Sequence, residues 1–489
     1  MPHDLVLSGG RVVDPETGLD RRYDVGIDGP SVTAVGDALD GSATIDVRGL
    51  VVAPGFIDLH SHAQTLPGRR LQACDGVTAA LELEAGRAPV DRAYAREAQR
   101  GSPIHYGFSA SWALARMHVM AGGALDGGPG AIFGGLAGEQ WQQAATDAQL
   151  ARILEQIEND VAAGAIGIGI IVGYTPGVDP AEYLAVAQLA SSAGVPTFTH
   201  CRDIVELAPQ TLVDGAEELV RAAGTTGAHM HYCHINSTSA RHIDRVLTLV
   251  ARCQSEGGHV TTEAYPYGSG STAIGAAFLA PERLRERLRG PTAITYLPTG
   301  ERIADDARLR ELRATDPGGV VIVEFLDEAD PYDRALLRRS LTFPDTVVAS
   351  DAMPPIWTGD KRPDLAEWPL PPEAVTHPRT AGTFARALRL WREEGTPLIE
   401  AIRRATLLPA SVLEASVPAM RNKGRVQPGA DADLVVFDAE HISDQATYTS
   451  STRPSSGITH VMVDGTFVVH NGVLVEDALP GRPIRAEPR

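Results

Sequence analysis

The chain has 489 residues, 43% hydrophobic and 21% charged, a folded protein too long for one compact globule, so a large barrel or sheet plus a second module is expected. Its net charge of -19 argues against nucleic acid as a general partner, because phosphate binding needs a concentrated basic surface. No run approaches the ~18 apolar residues of a membrane span, the start MPHDLVLSGG lacks the regions of a signal peptide, and Cys74, Cys201, Cys233 and Cys253 have no framework spacing, so a soluble cytoplasmic protein is expected.

The N-terminal segment breaks into short β-branched runs, DLVLSGG, RVVDPETG, YDVGIDG, SVTAVG and ATIDVRG, the mark of a small sheet or sandwich. The C-terminal segment reads alike, with ADLVVFD, ITHVMVDG, TFVVHNG and VLVED. Residues 1–53 and 412–489 are therefore expected to form one β-sandwich domain around an inserted middle, 54–411.

That middle alternates strand-like and helical runs. The strand candidates are 55–62, 76–84, 104–112, 165–174, 195–201, 228–235, 259–267 and 345–351, with helical stretches such as 147–164 and 179–194 between them. Alternation of this kind predicts an α/β architecture with a parallel sheet. Eight units favour a closed (β/α)8 TIM-like barrel, whose chemistry belongs at the C-terminal strand ends. Residues 281–344, rich in Arg and acids, are too long for an ordinary connection and predict a lid or inserted subdomain.

Polar residues gather at those strand ends. His60 and His62 close the run VVAPGFIDLHSH, and two imidazoles at i and i+2 face one side of a strand, where they can hold a divalent metal. His200 closes VPTFTH and His234 closes HMHYCH. Regular alternation places Met230, Tyr232 and His234 on one face, so His234 is read as the ligand and His231 as packing or as a partner standing behind the ligands. The same alternation turns Cys201 and Cys233 away. Glu82 and Glu84 share a face of the second strand, and acids in an apolar strand are costly unless they meet a cation or hydrogen bonds. Glu84, nearer the tip, is the candidate bridging ligand, and Glu82 is read as paired deeper down. Asp351 ends VVASD, where it either caps the next helix or, beside metals, binds one ion and moves a proton.

In order, GLVVAPGFIDLHSH, GVTAALELEAG, FTHCRD, CHINSTS, EAYPYGSGST, VVASDAMP, HPRTAGTF, ATLLPASVL and GRVQPGADADLVVFD resemble the amidohydrolase superfamily, and within it the D-aminoacylase (N-acyl-D-amino-acid deacylase) group. The resemblance implies a distorted (β/α)8 barrel with a sandwich from both ends and a metal centre at the strand tips. It carries the family's histidine ligands onto His60, His62, His200 and His234, and its catalytic aspartate onto Asp351. It further implies that Tyr174 and Arg379 hold a substrate carboxylate and that Tyr267 and Ser271 line the pocket. Two departures stand out. Ala85 occupies the position where the group has a metal-binding cysteine, leaving Glu84 as the bridging donor, and Asn236, counted with the substrate-binding candidates, stands where the group often has a lysine. A carboxylated lysine is not expected, since neither Lys361 nor Lys423 lies near a strand tip.

The resulting expectation is a two-zinc amide hydrolase, other divalent metals being allowed. His60, His62 and Asp351 hold one ion, His200 and His234 the other, and Glu84 spans them. Water activated there attacks the amide carbonyl of an N-acyl-D-amino acid, and Asp351 takes the proton and returns it to the leaving amine. The alternative is a cyclic amidase, hydantoinase- or dihydroorotase-like, or a hydrolase of N-acyl amines without a carboxylate. The expected partner is a small-molecule amide, with no nucleic acid or membrane; a homo-oligomer is compatible with the sequence but not specified by it.

Overall fold

The computed structural model describes residues 2–359 and 364–489, with the backbone alone at 285–287. Eight parallel strands form one sheet in chain order: β1 (Phe56–Asp58), β2 (Val77–Arg87), β3 (His105–Ser111), β4 (Ile168–Ile170), β5 (Thr197–Thr199), β6 (Met230–Tyr232), β7 (Val260–Ala264) and β8 (Thr346–Val348). Each pairs in parallel with the next. The sheet curls until its first and last strands meet just beyond their tips. There the Asp58 carboxylate accepts from the Ser350 backbone N–H at 3.0 Å and from its hydroxyl, and His62 N–H donates to Ala352 O at 2.8 Å. The result is a nearly closed barrel.

Side-chain alternation fills its interior. Ile57, Leu59, Ala79, Leu81, Leu83, Ile166, Phe198 and Val347 form one buried cluster with Ala410, Leu413 and Ile484. A larger cluster joins the outer faces of the strands to the helices. Those helices carry clear local signals. Thr146 and Gln149 form a capping box ahead of Asp147–Ala162, while Asp179 caps Pro180–Ala193, which stops at left-handed Gly194.

The barrel strands are shorter than expected. The run 165–174, for example, contains only the strand 168–170, followed by a 3-10 turn at Val172–Tyr174. Both chain ends enter one nine-stranded sheet, in which Val51–Pro54 pairs antiparallel with Leu434–Phe437 and in parallel with His3–Asp14. Val12, Val25 and Val52 pack there against Leu434, Val436 and Met462.

Between β7 and β8 the chain builds a small antiparallel sheet from Ser269–Ala273, Ile294–Tyr296, Glu301–Arg302 and Val320–Glu324. This subdomain starts before residue 281, because Ser269–Ala273 follows β7 almost directly, and its last strand ends well before 344. The remainder is the helix Pro331–Thr342 leading into β8. No helix among the described residues is long and apolar enough to cross a membrane.

Candidate metal centre and pocket

The six expected ligands converge at the barrel mouth. His60 Nε2 and His62 Nε2 lie 3.2 Å apart, and each is 3.4 Å from Glu84 Oε2. Asp351 Oδ1 completes this group at 3.5 Å from His60 and 3.6 Å from His62. Glu84 turns its other oxygen toward the second pair, with Oε1 3.1 Å from His200 Nδ1 and 2.7 Å from His234 Nε2. All six side chains are buried.

Two of these positions depend on unusual backbone. His234 has φ 32° and Asp351 φ 49°, a left-handed conformation rare for side-chain-bearing residues and commonest at sites that must aim a group. This corrects the face assignment around β6. The strand ends at Tyr232, and the turn at His234 brings that ring inward although Met230 and Tyr232 pack outward among the helices. His231 instead faces the barrel interior and meets Glu263 at 3.0 Å. Cys233 also lies in the interior cluster, beside His60 and Glu263, contrary to the alternation argument. Burial pushes its thiol well above the usual range, with Glu263 adding to the effect. Cys201 packs outward, as alternation requires.

Behind the ligands stands a ring of acceptors and donors. Glu82 binds His62 Nδ1 at 2.9 Å, Glu263 binds His60 Nδ1 at 2.5 Å, and the Ser237 hydroxyl lies 3.0 Å from His234 Nδ1. Imidazoles that present one nitrogen to a common centre while the other is held from behind have the arrangement of metal ligands. The electrostatics agree. Burial alone would lower His60, but Glu263, Glu84 and Asp351 outweigh it and hold the ring well above its usual range. His62, likewise opposed by burial, is raised to about 9 by Glu82. Burial would raise Glu84, yet His60, His234 and His200 leave it well below the carboxylate range. Four imidazole nitrogens and two carboxylates buried together are the donor set of zinc-like divalent ions. A carboxylated lysine plays no part around Lys423, whose Nζ bonds Asp431 and Asp433 at 2.8 and 2.6 Å; Lys361 lies outside the described residues.

Above the ligands is a cavity of about 60 Å³, lined by Phe133, Tyr174, Tyr265, Ser271, Thr272 and Phe278 among others. Tyr174 packs on His200 with ring centres 4.6 Å apart and its hydroxyl lies 2.8 Å from the Thr272 hydroxyl. The inserted sheet supplies Gly270, Ser271, Thr272 and Val323, so it roofs the site. Arg379 Nη1 pairs with Asp351 Oδ2 at 2.9 Å, its guanidinium stacks on Tyr265, and Nη2 donates to Ser271 O.

Two expected pocket residues lie elsewhere. Tyr267 is buried against Arg386 and His377. Asn236 is spent on backbone, accepting from Tyr265 N–H and donating to Tyr265 O. Neither lines the cavity, and sequence proximity to the ligands gave no directional information. Glu263 was the important omission. An acid inside VTTEA carries the same signal that identified Glu82 and Glu84, whereas the aromatic walls Phe133 and Phe278 left no trace in the local pattern.

The amidohydrolase family pattern matches residues 43–119 and 350–469. D-aminoacylase of Alcaligenes xylosoxydans xylosoxydans is 29% identical over 95% of this chain and 94% of its own length. N-acyl-D-glutamate deacylase of the same organism is 29% identical over 95% and 93%. The crystal structure of N-acyl-D-glutamate deacylase from Bordetella bronchiseptica, complexed with zinc and a phosphonate that mimics the tetrahedral intermediate, matches with a TM-score of 0.77 at 24% identity, covering 99% of this chain and 100% of that one. Two segments of the chain thus match the amidohydrolase family pattern, and over nearly its whole length the chain is similar to enzymes of the D-aminoacylase group.

Proposed function

We propose that the protein is a metal-dependent amide hydrolase that deacylates N-acyl-D-amino acids, with zinc as its ion and two ions per chain. The observation that carries this reading is Glu84, which turns one oxygen to His60 and His62 and the other to His200 and His234. His60, His62 and Asp351 would hold one ion, His200 and His234 the other, with Glu84 common to both. When bound, the ions supply Lewis acidity that makes water available as a nucleophile near neutral pH and polarises a carbonyl.

The chain's own residues do the rest. Asp351 faces the ligands with one oxygen and Arg379 with the other, so it can accept the proton of the attacking water and pass it to the departing amine. Arg379 keeps that carboxylate oriented. Tyr174, hydrogen-bonded to Thr272, closes one wall, and the aromatic lining excludes bulk water. Asp351→Asn should lower turnover by at least about a hundredfold while metal content, measured by elemental analysis, stays near wild type. Wild-type rates in that variant would remove Asp351 from the mechanism.

One observation favours a second reading. Arg379 is engaged by Asp351, and Asn236 is spent on the Tyr265 backbone, so the carboxylate clamp is weaker than the D-amino-acid reading requires. Assays of N-acyl-D- and N-acyl-L-amino acids beside hydantoins and lactams separate the two. Faster turnover of ring amides would replace the deacylase reading with a cyclic amidase.

A further inference from the structure

A second cleft, of about 710 Å³, reaches the metal centre from another flank. His62 and Phe133 stand on the walls of both this cleft and the smaller cavity. Its charged lining is dominated by arginine. The acids nearby are already committed: Glu97 to Arg69 at 2.6 Å and Arg100 at 3.3 Å, Asp126 to Arg96 at 2.5 Å, and Glu82 to His62 at 2.9 Å.

Arg87 remains. Among the described residues its guanidinium has no ion pair or hydrogen bond, and its Nε is fully enclosed. The group stacks over Phe108 at 5.5 Å and lies against Gly128, where a Cβ would come within 2.5 Å of Nη1. Burial lowers its pKa, and the neighbouring Glu82 and Glu97 do not make up the difference. An enclosed cation without a counterion is costly, and a guanidinium fork matches a carboxylate in two-point contact. Arg87 also lies close to the reaction centre. It follows Glu84 by three positions on β2, a span of at most about 10 Å along an extended strand.

We propose that this cleft receives the acyl half of the substrate and that Arg87 binds a carboxylate at the end of the acyl chain, making the protein selective for acyl groups derived from short dicarboxylic acids. The inference rests on the amide-hydrolase reading and deepens it, since two cavities meeting at His62 give the halves of an amide separate places. In the reaction the amide C–N bond breaks, water gives its oxygen to the acyl carbon and a proton to the nitrogen, and a dicarboxylate and an amine leave.

The test compares N-succinyl and N-butanoyl derivatives of one D-amino acid, near-isosteric acyl groups differing in the terminal charge. Wild type should favour the succinyl compound in KM by about tenfold or more. Arg87→Met should bring the ratio of KM values close to one, and Arg87→Lys should keep part of it. Because the readout is a ratio within one preparation, partial misfolding does not mimic the result. A wild type indifferent to the charge, or a preference that survives in Arg87→Met, overturns the inference. Calorimetry with succinate and butyrate on the metal-loaded protein separates the two readings. Arg87-dependent succinate binding without amide hydrolysis would sink the hydrolase reading alone. Hydrolysis without succinate binding would sink the cleft.

Discussion

Each oxygen of Glu84 serves a different pair of imidazoles, so Glu84→Gln should leave too little charge for two cations, and elemental analysis should find bound metal falling from two ions toward one. Glu82→Gln touches no ion. It frees the back of His62, and loss of such a partner lowers metal affinity about 10- to 100-fold, measurable by competition with a chelator. The same pair governs pH behaviour once metal is stripped. The folded His62 is raised to about 9 from the ordinary 6.5, so its contribution to stability is complete below about pH 6.5 and disappears as pH climbs through 9. The melting temperature of stripped wild type should fall across that window, and Glu82→Gln should flatten the slope. At this scale the sequence was most legible where chemistry overrides packing. Imidazoles and acids clustered at apolar strand ends are costly to bury unless a cation holds them together, whereas Arg87, Tyr267 and Asn236 are ordinary residues whose directions only the folded chain decides.

The elements explain how ligands from distant segments keep their register. Gly169 of β4 packs so tightly on β2 that a Cβ there would sit 2.3 Å from Glu84 O and 2.5 Å from Leu83 O. Gly169→Ala should therefore cost about 1–3 kcal/mol and weaken metal binding together, whereas Gly36→Ala, with open space around it, should do neither. A denaturation curve alongside a metal titration checks both. Strand positions were legible from β-branched runs between turn signals, but strand lengths were not. The ligands sit one to several residues past the last ladder hydrogen bond, where backbone such as that of His234 leaves the period of two. Face assignments by alternation consequently failed for His231, His234 and Cys233 and held for Cys201.

At the scale of the whole molecule, barrel and terminal sheet are joined through a buried carboxylate. Asp433, beside Leu434–Phe437, accepts from His105 at the start of β3, from Lys423 Nζ at 2.6 Å and from the Asp464 N–H. Lys423→Met would strand that charge, and removing one member of a buried pair typically costs about 3–5 kcal/mol. Urea denaturation should register the loss, and an unchanged midpoint would show the joint to be redundant. The contribution of both chain ends to one sheet was legible because their β-rich composition differs from the alternating middle. The roof over the site was legible only as an overlong connection, since its strands are short and its first one follows β7 almost without a break.

The seam between β1 and β8, drawn shut by Asp58 and Ser350, also orders events in time. His60 and His62 emerge early in synthesis, while Asp351 follows the final strand of the barrel. A growing polypeptide thus carries His60, His62, Glu84, His200 and His234 before Asp351 exists. The complete set of six side chains must await the seam that closes the barrel, and a product ending before Asp351 would lack both the last of them and that closing contact.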